Sequence, residues 1–180
     1  PDKAPRARNL VFLLDVSGSM QPCIDALKAN ISTFIDFLTL KNANNEAPVK
    51  DWRAAVIGFR DAQADPAWLH DNSFVRDAAE LKAQLTRLQA EGGGDEPESL
   101  LDALYKVINK GQTDKGAQAE DPQKWRYRSD AARVVIVFTD ASFQPKLVIP
   151  EAKGGTVDDI VNLCHSNRII LSIFAPDMQC

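Results

Sequence analysis

The sequence predicts an α/β fold: a doubly wound, mostly parallel sheet with helices on both faces. Three observations carry that prediction. Short, nearly continuous apolar runs recur along the chain, as strands buried on both faces require. Between them lie longer stretches whose apolar residues recur at steps of three and four, one stripe of an amphipathic helix. The two patterns alternate, which is how strand–helix–strand units build a parallel sheet.

The first run, Leu10 to Leu14, reads Leu-Val-Phe-Leu-Leu and ends on the polar stretch Asp15-Val16-Ser17-Gly18-Ser19. Gly18 suits a tight turn before a helix in which Ile24, Leu27, Ile31, Phe34, Ile35 and Leu38 form the inner stripe. Ala54 to Phe59 is a second buried strand, and the stretch around Trp68 and Phe74 supplies a short edge strand. Asp77 to Gln89 reads as a helix with Ala78, Leu81, Leu85 and Leu88 inward, stopped by Gly92-Gly93-Gly94, since glycines commonly follow a helix end. Leu100, Leu101, Leu104, Val107 and Ile108 mark the next helix. Gly111 to Ser129 is polar and reads as a solvated loop, pinned at its end by Trp125 and Tyr127. Val134 to Phe138 is a third buried strand leading to Thr139-Asp140. Val157 to His165 is a helix with Val157, Ile160, Val161 and Cys164 inward, and Ile169 to Ala175 is a fourth strand. Residues 1–180 read as a single domain of a longer protein, short of the last strand and helix that would finish an open sheet.

Composition narrows the function classes. The chain of 180 residues is 44% hydrophobic with a formal net charge of −4, enough for a core and without the basic footprint of a nucleic-acid binder. No 18-residue apolar run exists to span a membrane. Cys23, Cys164 and Cys180 are odd in number and widely spaced. They make a poor disulfide framework and no zinc pattern, which tilts towards a reducing compartment and the cytoplasm. Cys23 reads as packed at a helix start and Cys164 as core.

Three loops are expected to leave the same end of the sheet, where open α/β sheets hold their ligands. They carry Asp15, Ser17 and Ser19; then Asp95, Glu96, Pro97 and Glu98 after the glycine run; then Asp140. These are hard oxygen donors, suited to Mg²⁺, Mn²⁺ or Ca²⁺ rather than zinc. If the first and third strands are neighbours, Asp15 and Asp140 sit at adjacent strand ends. Such carboxylates repel unless a cation lies between them.

With Asp15-Val16-Ser17-Gly18-Ser19, the Gly-rich loop with Asp95-Glu96-Pro97-Glu98, and Phe138-Thr139-Asp140 in this order, the chain resembles the von Willebrand factor A domain family. The resemblance implies a Rossmann-like fold with a metal-ion-dependent adhesion site, in which a divalent ion bridges the domain to an acidic residue of a protein partner. It implies a binding module rather than an enzyme. Many members carry a Thr ligand in the second loop, where this chain has Glu98. The Gly-Gly-Gly-Asp-x-Pro-Glu pattern is similar to the integrin β-subunit version and to bacterial and protist relatives. The expected metal ligands are therefore Asp15, Ser17, Ser19, Glu98 and Asp140, with Asp95 as a further candidate.

Simpler roles compete at each position. Asp15 could cap the following helix, and Asp140 could be a turn residue. Glu91, Glu96 and Asp102 read as a solvated, acidic helix start. Asp61, Asp65 and Asp71 belong to a surface loop, with Asp61 in reach of the site's rim. His70 and His165 are isolated and read as structural or exposed. The competing function classes are a Mg²⁺-dependent phosphoryl-transfer hydrolase with Asp15 as nucleophile, and a scaffold with a vestigial metal site. The hydrolase reading lacks the second Asp two residues on, because Ser17 stands there.

Overall fold

A computed structural model describes residues 7–92, 98–139 and 142–175. Five strands form one sheet: β1 (Ala7–Asp15), β2 (Trp52–Phe59), β3 (Leu69–His70), β4 (Ala131–Phe138) and β5 (Ile169–Phe174). Their order is β3-β2-β1-β4-β5. All neighbours run parallel except the short edge strand β3, which is antiparallel to β2. The helices are α1 (Ile24–Thr39), α2 (Ala78–Arg87), α3 (Leu100–Ile108) and α4 (Val157–Ser166).

Alternate residues of the central strand face opposite cores, as the two-residue period demands. Leu10, Phe12 and Leu14 pack with the inner faces of α1 and α2, whereas Val11 and Leu13 pack with α3 and with Ile160 and Cys164 of α4. The sheet is thus doubly wound, and β1 and β2 read as unbroken apolar runs because both of their faces are covered. β4 alternates between buried and half-buried residues, because helices cover only one of its faces fully.

Several boundaries and faces differ from the sequence expectation. α2 ends at Arg87, where Leu88 turns extended (ψ 135°) with its side chain buried. The glycine run comes later, and hydrophobic anchoring of Leu88 rather than glycine stops the helix. Phe34 on α1 and Val157 and Val161 on α4 are exposed, since those helices cover the sheet with a narrower stripe than their apolar residues allow. The loop from 111 to 129 is held more firmly than a solvated loop. Trp125 is fully buried, its indole N–H donates to the Val107 carbonyl at 2.9 Å, and Arg53 donates to the Asp121 and Lys124 carbonyls. Cys23 is buried and disulfide-bonded, and Cys164 is a buried free thiol. An odd cysteine count did not preclude a bridge at Cys23.

The topology sets the site. Asp15 pairs in register with Phe59 of β2, and Leu14 with Phe138 of β4. The loops after β1, β2 and β4 therefore leave side by side.

Candidate metal site

Asp15 ends β1 and is fully buried. Its Oδ1 accepts the Ser17 backbone N–H at 3.0 Å and the Ser17 hydroxyl at 2.6 Å. Its Oδ2 accepts the Thr139 hydroxyl at 3.2 Å. The Ser17 and Ser19 hydroxyl oxygens lie 2.9 Å apart. Asp15 does not cap α1, whose N-cap is Cys23. It folds the loop back on itself, and a 3₁₀ turn over Gly18–Met20 follows, driven into the core by the fully buried Met20.

This first loop is stitched to the approach of the second. Val16 continues the sheet by donating to the Phe59 carbonyl, and its own carbonyl accepts the Glu91 N–H (3.1 Å) and Arg60 Nε (3.2 Å). Gly18 N–H donates to the Gly92 carbonyl at 3.0 Å. A Cβ at residue 18 would sit 3.3 Å from that carbonyl oxygen, so the contact favours glycine. Buried Arg60 completes the seam, donating to the Gln89 carbonyl and pairing with Asp65 at 3.3 Å.

The start of α3 is equally fixed. Glu98 is buried, its carbonyl accepts the Gln144 N–H at 2.9 Å, and its backbone bridges Phe143 in the loop after β4. Ser99 accepts the Ala62 N–H at 2.9 Å and donates to Asp61 at 3.4 Å. Asp61 is therefore buried rather than a surface acid, and it ties the loop after β2 to α3. Asp102 also departs from the expected solvated helix start. It is fully buried, and its Oδ1 accepts the N–H groups of Val148 and Ile149 at 2.9 and 3.0 Å. Burial pushes its carboxyl above the usual carboxylate range, and those two N–H donors pull part of the way back.

Of the six expected ligands, the structure brings Asp15, Ser17 and Ser19 into one hydrogen-bonded cluster and sets Glu98, buried, in the neighbouring loop. Asp95 and Asp140 lie outside the described residues. Among the described residues no three His, Cys, Asp or Glu side chains converge as a metal cluster; the donors clustered by hydrogen bonds are the Asp15 carboxylate and the Ser17 and Ser19 hydroxyls. Their chemistry fits a hard divalent cation: all are oxygens, and Asp15 supplies the anionic charge. Thr139, Asp61 and Asp102 carry structural roles around the site that sequence reasoning did not assign. Thr139 had one usable signal, its place directly after a buried strand.

An open, mostly parallel α/β sheet with a carboxylate–hydroxyl cluster at the carboxyl end of its central strand defines the class of protein. The sequence model of the von Willebrand factor type A domain matches residues 10–143, and the chain belongs to that family. It is 26% identical over 139 residues to the alpha-protein kinase vwkA of Dictyostelium discoideum, covering 77% of this chain and 19% of that protein. The chain thus spans about a fifth of that relative's length. Among solved structures it is similar to proximal thread matrix protein 1 from the mussel byssus (TM-score 0.59, 12% identity, 96% of this chain and 37% of that one). A structure of the same mussel protein with a zinc-occupied MIDAS motif aligns equally well (TM-score 0.59, 15% identity, 94% and 35%). At these identities the likeness is one of fold. No helix among the described residues is long and apolar enough to cross a membrane.

Proposed function

We propose that this domain is a divalent-cation-dependent protein-interaction module of the Gly-Gly-Gly-Asp-x-Pro-Glu type. The cation is held by Asp15, Ser17, Ser19, Glu98 and Asp140, with Asp95 as the alternative carboxylate, in part through water. An acidic side chain of the partner completes the coordination. The observation that carries the reading is the buried Asp15–Ser17–Ser19 cluster at the end of the central strand, with Thr139 reaching it from the end of β4. The zinc-occupied site of the mussel protein supports a divalent ion and widens the candidates beyond Mg²⁺, Mn²⁺ and Ca²⁺. The domain performs no chemistry in this reading. The position where a hydrolase of this architecture would need an acid–base group holds Ser17, whose hydroxyl is already committed to Asp15.

Calorimetric titration with Mn²⁺ and Mg²⁺, followed by partner capture from native lysate with and without chelator, tests the proposal. Saturable binding that is lost in Asp15→Ala, and capture that chelator abolishes, support it. Capture unchanged by chelator would make the metal irrelevant to docking, and absent metal binding would leave a scaffold with a vestigial site. Glu98→Thr removes a negative charge from the site. It should weaken the metal while making capture depend more strongly on an acidic partner residue.

A further inference from the structure

At the opposite end of the sheet, Arg133 of β4 is buried without a carboxylate. It lies beside Asn9 of β1, six residues and about 20 Å along the strand direction from Asp15. One terminal nitrogen donates to the Asn167 carbonyl at 3.2 Å, and the other to Gln112 Oε1 at 2.7 Å and to the Arg126 carbonyl at 2.9 Å. Nε has no hydrogen-bond partner although it is fully buried. Among the described residues Arg133 makes no ion pair. The other buried arginines, Arg53, Arg60 and Arg126, each have a carboxylate.

The charges nearest Arg133 are of its own sign. Burial, then the charges of Arg128 and Arg168, push its guanidinium down to about 10, still a cation at neutral pH. Arg128 and Arg168 are exposed and likewise make no ion pair among the described residues. Arg168 also sits in the left-handed region (φ 55°) just past the end of α4, a position that normally takes glycine or asparagine. The Asn167, Gln112 and Arg126 contacts account for the terminal nitrogens of Arg133, and its guanidinium carbon lies 5.8 Å from the Trp125 ring centroid. These contacts leave Nε without an acceptor and do not offset the like charges of Arg128 and Arg168, the latter in a left-handed backbone conformation.

Arg133 and Arg128 line a pocket of about 140 Å³ with Gln112, Ser166 and Asn167, and Arg168 follows Asn167 in the chain. That space admits a tetrahedral oxyanion.

We propose that this pocket binds a phosphoryl or sulfuryl group, with Arg133 and Arg128 in its lining and Arg168 next in the chain to the lining residue Asn167. The site is separate from the metal centre and does not depend on it. Arginine suits the task because its fixed fork of donors matches tetrahedral oxyanions.

The test uses metal-free protein in chelator, so that phosphate cannot report on the metal site. Phosphate is titrated against chloride at equal ionic strength, following melting temperature and the ¹⁵N-detected Nε signal of Arg133. Phosphate should raise the melting temperature and move that signal, and chloride should do neither. Arg128→Ser with Arg168→Asn keeps the buried arginine and relieves the strained backbone, so the variant folds. Its phosphate affinity should fall about tenfold or more. O-phosphoserine as a second ligand separates the sources. Binding at least as tight as phosphate identifies an esterified group, and much weaker binding identifies the free ion. Equal responses to phosphate and chloride, or an undiminished phosphate response in the double variant, would overturn the proposal.

Discussion

Asp15 is buried but not bare, since Ser17 N–H, the Ser17 hydroxyl and the Thr139 hydroxyl all donate to it. Repulsion among carboxylates alone would make Asp15→Ala stabilising without metal. The three donors reverse that expectation. The substitution leaves a buried N–H and a hydroxyl without their acceptor, so in chelator it should lower unfolding free energy by about 1–3 kcal/mol, read from urea midpoints. Ser17→Ala should cost less in the metal-free state, because the Ser17 N–H contact survives. It should still weaken Mn²⁺ by about tenfold or more, through loss of one hydroxyl donor and release of Ser19, as calorimetry would show. Asp15, Ser17 and Ser19 were legible in the sequence because they lie within five residues on one loop. Thr139 was not assigned because its contact with Asp15 spans 124 residues and exists only once β1 and β4 are known to be neighbours.

Between elements, Asp102 links α3 to the chain beyond β4 by accepting two N–H groups of the segment that packs over the helix. Burial raises its pKa in the folded chain, so the folded state holds this proton to higher pH than the unfolded state does. Its contribution to stability is present below the unfolded value and is lost as pH rises through the folded one. Asp102→Asn does not titrate, so wild type should lose stability relative to it from about pH 4 upward, in urea midpoints taken between pH 3 and 7. Asp102→Ala should be worse than either at every pH, by about 1–3 kcal/mol for each N–H left without an acceptor. The buried acid escaped sequence reading because an acid in a first helical turn normally faces water. α3 is buried all round from Leu100 to Leu104, which no single stripe reveals. Packing across elements is as tight at Gly58 of β2. A Cβ there would lie 3.0 Å from both Leu88 Cδ2 and Val16 Cγ2. Gly58→Ala should therefore destabilise by about 1–3 kcal/mol through overpacking. It should also disturb the first loop through Val16, visible as weakened Mn²⁺ binding beside the lowered midpoint.

Across the whole molecule, the two faces of the sheet are covered unequally. α1 and α2 pack over β1 and β2, while α3 and α4 reach across to β4 and β5 on the other side. The α1 face of β4 and β5 is left partly open. There Phe138 stacks on Phe174 with centroids 5.6 Å apart, and Phe34 meets Phe12 edge-on at 5.7 Å. Ile170 and Phe174 are more than half exposed, and among the described residues the outer edge of β5 pairs with no strand. The sequence showed the apolar runs and their succession along the chain, but an amphipathic stripe does not say how far a helix reaches across a sheet. That is why Phe34 read as core. An open edge beside an apolar face invites pairing with another chain. Ile170→Lys places a charge on that face without touching either core, so it should reduce concentration-dependent light scattering while leaving the melting temperature within about 1–2 °C. Scattering unchanged by the lysine, with folding intact, would mean that the loops at the carboxyl end of the sheet, and not this face, govern self-association.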